Sequence, residues 1–172
     1  KADYVQYMCK VNRTLVTPAS DCTTYGILDE TYNLNLPSIT VAAVQGATTV
    51  RRSVTNVGSS TATYTANATV PGFSTVVTPA TLTLAPGATA NFTVRLTNAD
   101  AAANVWNFGS LTWTDGTRNV KIPVSARLGL AVTSPGDIIG DKVSGSKLFT
   151  VRTGYSGVMP YAKGGLKPAT VG

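Results

Sequence analysis

Apolar and polar residues alternate one by one through the middle of the chain. Between Leu34 and Leu128 the longest runs lie at residues 63–70, 89–97 and 119–128, where every second residue is apolar. A period of two places the apolar side chains on one face of a β-strand and the polar side chains on the other. The pattern therefore predicts strands in these runs and in shorter ones near residues 37–44, 48–57, 74–78, 81–84 and 107–114.

The same alternation predicts which side chains are buried. One face of the predicted strands carries Tyr64, Phe92, Val94, Ile122 and Val124, and the opposite face carries Asn67, Asn91, Arg95 and Lys121. Pro123 interrupts the last strand, and proline has no N–H to donate to a neighbouring strand. We therefore expect that strand at the edge of a sheet.

Turn signals separate the predicted strands. They are Asn56-Val57-Gly58, Pro71-Gly72, Pro86-Gly87 and Asp115-Gly116. The last of these, with apolar residues on both sides, is the strongest hairpin signal. About seven short strands with no helix between them predict an all-β fold, an antiparallel sandwich of the immunoglobulin-like or fibronectin-III-like kind.

The flanking segments have a different composition. Ala2, Val5, Met8 and Cys9 form an apolar stripe at helical spacing. A helix this short is marginal alone, so we expect it to pack on a surface that precedes Lys1. The C-terminal part is rich in glycine and basic. The chain is thus expected to comprise a helical and connecting segment (1–32), the sandwich (33–128) and an extension (129–172).

The net charge of +6 is unevenly distributed. Residues 1–117 carry six basic and six acidic residues, so all of the excess lies in residues 118–172. The neutrality of residues 1–117 argues against nucleic acid as the partner of the whole molecule. Basic and aromatic residues interleave at 147–163, which fits either an anionic surface or alternating strand faces. No stretch approaches the ~20 apolar residues of a membrane span.

Cys9 and Cys22 are the two cysteines. An intracellular protein would keep both as thiols, whereas a close pair in a chain rich in Thr and Asn favours a disulfide made in an oxidising compartment. Closing a loop of this length stabilises by about 3 kcal/mol in the chain-entropy model. The chain also opens without an initiator Met or a signal peptide, so we expect a piece of a mature, secreted protein.

Several segments together resemble one family. Leu34–Ile39, Arg52–Gly58 and Phe108–Gly116 occur in the order found in the fibronectin-III-like C-terminal domain of plant-type (cucumisin-like) subtilisin-like serine proteases. Tyr4–Cys9, followed by Cys22, resembles the end of the protease domain. The resemblance implies a secreted endopeptidase as the parent, with its Asp, His and Ser triad upstream of Lys1. After Leu128 the chain looks more like extracellular bacterial relatives with appended β modules.

No residue of this chain matches a catalytic motif of that family. The chain contains no histidine, which excludes Ser-His-Asp catalysis within it. Ser144 and Lys147 have the S-x-x-K spacing but lie in a Gly-rich context without companion motifs. Asp137 and Asp141 fit a loop Ca²⁺ contact or ordinary surface carboxylates. We therefore assign no catalytic residue, no metal ligand and no cofactor.

Two pairs of residues are candidates for an interdomain contact. Arg51 and Arg52 occupy neighbouring strand positions, so one of them points inward beside Val50 and Val54. It either extends past the core to solvent or makes a fixed contact with the protease domain or with a loop carboxylate. Trp106 and Trp113 fill the core, fill an interdomain contact or form a platform for stacking sugars.

Three sequons complete the candidate sites. Asn12, Asn67 and Asn91 each stand two residues before a threonine, as N-glycosylation requires. Thr-rich strands also produce this pattern by chance. The sequence as a whole predicts a non-catalytic accessory domain that packs on the protease domain, stabilises it and shapes substrate access or self-association. The alternative is an extracellular adhesion or glycan-binding module.

Overall fold

A β-sandwich preceded by short helices makes up the chain in the computed structural model, which describes residues 2–129 and, singly, residues 146, 148, 150 and 151. Helices α1 (Ala2–Val11) and α2 (Asp21–Tyr25) and 3-10 turns at Arg13–Leu15 and Thr31–Asn33 come first. The strands then follow as β1 (Ile39–Val44), β2 (Ala47–Thr55), β3 (Ala62–Thr69), β4 (Phe73–Thr78), β5 (Thr81–Leu84), β6 (Thr89–Asn98), β7 (Trp106–Thr114) and β8 (Asn119–Leu128).

The strands form two sheets that pack face to face. One sheet has the order β1-β8-β7-β3-β5, and the other has the order β2-β6-β4. Neighbouring strands are antiparallel except for β1 and β8, which run parallel. The predicted all-β sandwich is confirmed, with eight strands among the described residues where the sequence suggested about seven.

The core lies between the sheets, as the alternation predicted. Phe92 of β6 and Trp113 of β7 meet edge to face across it, with ring centroids 5.1 Å apart. Of the side chains predicted to face inward, Tyr64 is half-buried and the others are buried; all four predicted to face outward are exposed. The buried set includes Ile39, Val41, Val50, Phe92, Val94, Leu96, Leu111, Trp113, Ile122 and Val124.

Pro123 does not lie on an edge strand, so that expectation was wrong. Strand β8 is internal, between β7 and β1. Pro123 is opposite Ser110 of β7, but pairing with β1 begins only at Val124, opposite Ile39. Because β1 does not reach Pro123, the internal strand accommodates the proline.

Gly109 marks a close approach of β7 to β3. A Cβ at this position would lie 2.0 Å from the carbonyl oxygen of Thr69, far inside van der Waals contact. Any side chain there would push the two strands apart. This steric demand explains the glycine within the Phe108–Gly116 segment.

Within residues 2–129, no helix is both long enough and apolar enough to span a membrane.

Candidate functional site at the edge of strand β2

Strand β2 forms one edge of the three-stranded sheet, and its outer side is covered. On its inner side β2 pairs with β6, with Arg52 opposite Phe92. On its outer side lies the connector, defined here as residues 29–38, which leads from the helices to β1. The contacts between the connector and β2 are called the edge clasp below.

Two asparagine side chains of the connector replace a neighbouring strand. The Oδ1 atom of Asn33 accepts a hydrogen bond from the backbone N–H of Arg51 at 2.8 Å, and Oδ1 of Asn35 accepts one from the N–H of Ser53 at 3.0 Å. Asn35 also donates to Oγ of Ser53 at 2.9 Å. The spacing of two residues on both sides matches the period of the strand. The side-chain amides thus satisfy edge N–H groups that would otherwise be open to another strand.

Arg52 is the buried centre of the edge clasp. Its side chain enters the sandwich beside the core and is only 6% exposed. Its Nη1 atom donates to the carbonyl oxygens of Tyr32 and Arg51 at 2.8 and 2.7 Å, and Nη2 donates to that of Ser38 at 2.9 Å. The guanidinium therefore connects β2 to the connector at two points, Tyr32 near its start and Ser38 at its end.

No carboxylate within residues 2–129 forms an ion pair with the Arg52 guanidinium. Burial lowers the pKa of Arg52 because desolvation disfavours the charged form. Carbonyl dipoles stabilise this charge instead of a counter-ion. Its Nε atom has no hydrogen-bond partner among the described atoms. A buried, charged donor held this way makes a contact that lysine, with its single ammonium, cannot reproduce.

Arg51 projects to the opposite side and pairs with Asp29 at the start of the connector. The Asp29 carboxylate also accepts hydrogen bonds from Nδ2 of Asn33 and from the N–H of Glu30, each at 2.9 Å. The Asn33 bond is the largest cause that lowers the pKa of Asp29, and the Glu30 amide and the Arg51 charge add to it. The resulting stabilisation is present above about pH 4 and is lost as the pH falls through the lowered folded-state pKa.

Helix α1 is tied to the connector by its own contacts. A disulfide joins Cys9 to Cys22 of α2. The side chain of Gln6 donates to the carbonyl of Tyr25 at 2.6 Å, and Nζ of Lys10 donates to the carbonyl of Asp29 at 2.6 Å. Successive contacts therefore run from α1 through the connector to the sandwich.

Of the four predicted contact residues, the structure brings Arg51 and Arg52 together with the connector. Trp113 is 3% exposed and belongs to the core. Trp106 lies elsewhere, on the outer face of β7, 38% exposed, with the Arg127 guanidinium 5.2 Å from its ring centroid. Sequence reasoning missed Asn33 and Asn35. The signal that could have revealed them is their spacing of two just before the first strand.

The remaining candidate residues do not join the edge clasp. Asn12, Asn67 and Asn91 are all exposed, and Oδ1 of Asn12 accepts a hydrogen bond from Oγ1 of Thr14 at 2.6 Å. In the part of the chain that the structure describes, no three metal-ligating side chains come together. The candidates that lie outside the described residues are Asp137, Asp141, Ser144, Lys147 and the other basic and aromatic residues at 147–163.

Hydrogen exchange can test the two asparagine contacts one at a time. Asn33→Ala should speed exchange of the Arg51 amide and leave the Ser53 amide protected, because each asparagine accepts from one N–H. Asn35→Ala should have the reverse effect. The amide of Val94, inside the core of β6, is the control that neither variant changes. Equal exchange of both amides in wild type and variants would show that the asparagines do not cover this edge.

Two sheets packed around a Phe–Trp core, with no helix between strands, define an immunoglobulin-like β-sandwich domain. The chain belongs to the fibronectin type-III domain family, whose model matches residues 33–126. The sequence resemblance to the fibronectin-III-like domain of plant subtilisin-like proteases is also confirmed.

Among the relatives is subtilisin-like protease SBT3.9 of Arabidopsis thaliana, which is 38% identical over 131 residues, or 73% of this chain. Subtilisin-like protease SBT3.10 of the same plant is 37% identical over 131 residues. Each match covers 17% of the relative, so the chain spans about a sixth of the length of these proteases.

Solved structures show weaker similarity. SSP-19, an MSP-domain protein like family member in Caenorhabditis elegans, is 12% identical with a TM-score of 0.41, over 53% of this chain and 94% of that one.

Proposed function

We propose that the chain is the non-catalytic accessory domain of a secreted subtilisin-like serine endopeptidase. In this proposal its partner is the protease domain upstream in the same precursor, residues 1–32 are the end of that domain with its linker, and residues 33–128 are the accessory sandwich. Residues 129–172 are a basic extension. The identity with plant subtilisin-like proteases over 73% of the chain supports this parentage.

The edge clasp is the observation that carries the proposed role. A flexible linker would let the two domains reorient, which is the ordinary behaviour of domains with small interfaces. Here the buried Arg52 guanidinium binds the connector backbone at Tyr32 and Ser38. This contact fixes the direction in which the chain leaves the sandwich. The domain would thereby support the protease domain in one orientation.

Helix α1 offers a surface for the protease domain. Ala2, Val5 and Met8 of its apolar stripe are only half-buried against the described residues, whereas Cys9 is buried. A helix of ten residues gains most of its stability from packing. An upstream domain that covered this stripe would complete the packing of α1.

Activity-based labelling separates this role from catalysis. The purified chain is expected to show no peptidase activity and no reaction with a serine-directed fluorophosphonate, since Ser-His-Asp chemistry needs an imidazole base and the chain contains no histidine. Labelling that is stoichiometric with the protein would overturn the non-catalytic assignment.

Limited proteolysis tests whether residues 129–172 are separate from the sandwich. Cleavage within residues 134–145 should leave residues 33–128 folded, because the described sandwich is complete at Leu128. Cooperative unfolding after this cut would show that residues 129–172 are integral to the domain.

Without reductant, no thiol should titrate in the native protein, as the Cys9–Cys22 disulfide requires.

A glycan-binding role is the second candidate, and one observation favours it. Trp106 and Phe108 stand two residues apart on the outer face of β7, 38% and 70% exposed. Exposed aromatic rings on the outer face of a sheet can stack against sugars as well as against another domain. Trp106→Ala should weaken binding to immobilised glycans if this role is correct. Under the accessory role, the variant should lower the stability of the precursor instead.

A further inference from the structure

A cavity of about 380 Å³ opens at the end of the sandwich where β2 ends and β7 turns into β8. Its size falls in the range of small-molecule sites. Its walls are predominantly apolar and come from both sheets: Val54, Tyr64, Leu82, Leu84, Trp113 and Val120. Polar side chains occur at its rim, which is formed by the turn at residues 56–58 and by Arg118.

Asn56 builds the rim but has no spare hydrogen-bond donor for an anionic ligand. Its Nδ2 atom donates to the carbonyls of Ser60 and Leu84, and its Oδ1 atom accepts from the N–H of Gly58, all at 2.9 Å. Asn56 is itself buried. The turn is therefore a fixed wall of the cavity.

Arg118 is the cation at the mouth. Its Nη1 atom lies 3.6 Å from the position a Cβ would take on Gly58, which places the guanidinium over the rim turn. Its side chain forms no hydrogen bond and no ion pair within residues 2–129. The neighbouring Asp115 carboxylate is held in its own turn by the backbone N–H groups of Thr117 and Arg118. The guanidinium is thus available to an external anion.

The indole of Trp113 contributes to the inner wall of the cavity. Trp113 is 3% exposed and packs edge to face on Phe92, so this wall is part of the core. Its indole N–H has no hydrogen-bond partner among the described atoms and is itself inaccessible, so it offers no donor to the cavity. Apolar walls with a charged group at the mouth have the character of a ligand site.

We propose that this cavity binds a small carboxylate with an apolar body, such as a medium-chain alkyl or an aryl carboxylate. The apolar body is buried between Val54, Leu84 and Val120, and the carboxylate pairs with Arg118 at the mouth. Charge selects the anion, because the guanidinium is the cation of the rim and charge-assisted hydrogen bonds are the stronger kind. This site does not depend on the proposed role in a protease.

Titration of the 172-residue chain with octanoate, followed by ¹H–¹⁵N NMR, tests the proposal. Saturable shifts are expected at Gly58, Arg118, Val120 and the Trp113 indole N–H. Octan-1-ol, which has the same chain length without the charge, should bind about tenfold more weakly, as the loss of a charge-assisted hydrogen bond implies.

Three variants sharpen the test. Arg118→Gln should weaken octanoate binding about tenfold and leave octanol binding unchanged. Val120→Trp, at a wall residue that is 55% exposed, should block both ligands without disturbing the core. Arg95→Gln, on the exposed face of β6, is the matched control and should change neither.

Three results would overturn the proposal: no saturable binding to the wild type, shifts that lie away from the cavity, or equal octanoate affinity in wild type and Arg118→Gln. The amide spectrum of each variant shows whether it is folded, and Arg118 is exposed, so its replacement leaves the fold intact.

Discussion

Replacing Phe92 with alanine is expected to lower the free energy of unfolding by about 3–5 kcal/mol. The Phe92 ring is 2% exposed, lies between the two sheets and packs edge to face on Trp113. Its removal loses buried apolar area and leaves a cavity that the surrounding strands cannot fill. Equilibrium urea denaturation, followed by tryptophan fluorescence, measures the change.

The neighbouring residue provides the control for Phe92. Asn91 precedes it on β6 with its side chain exposed on the outer face. Asn91→Ala should change the free energy of unfolding by no more than about 0.5 kcal/mol, as surface substitutions usually do. Similar losses from both substitutions would contradict the assignment of the two faces.

Arg52→Met is expected to lower the free energy of unfolding by about 2–3 kcal/mol, because the carbonyls of Tyr32 and Ser38 lose their donors in a buried site. Methionine keeps much of the side-chain length, so the effect reports on the hydrogen bonds more than on packing. Thermal unfolding and denaturant titration of the same chain provide the measurement.

Arg51→Met is the matched control, one position away on the same strand. Arg51 is exposed and its pair with Asp29 lies in solvent, where such pairs contribute about 0–1 kcal/mol. Arg52→Met should therefore lower the free energy of unfolding clearly more than Arg51→Met does. An equal or reversed order would mean that the buried guanidinium is not the main contact of the edge clasp.

The strands were predictable because burial of one face imposes a local period on the sequence. Phe92 and Val94 could be placed inside, and Asn91 and Arg95 outside, from their neighbours alone. The inward position of one arginine followed from the same argument. These features depend on residues close together in the chain.

The edge clasp could not be predicted, because it depends on contacts between distant residues. Asn33 and Arg51 are 18 residues apart, and the spacing of two between Asn33 and Asn35 does not by itself reveal which strand edge their amides will cover. Pro123 was misplaced for the same reason. The local rule for proline is sound, but its outcome depended on where β1 begins to pair with β8.

Truncation of the parent protease tests the proposed role most directly. Precursors that end before Tyr32 should be compared with the intact precursor by secretion yield and by apparent Tm of the protease domain, with turnover of a short peptide as the measure of chemistry. A supporting role predicts a lower yield or a lower Tm for the truncated precursors, with unchanged turnover per surviving active site. Equal yield, equal Tm and equal activity on large substrates would contradict a supporting role.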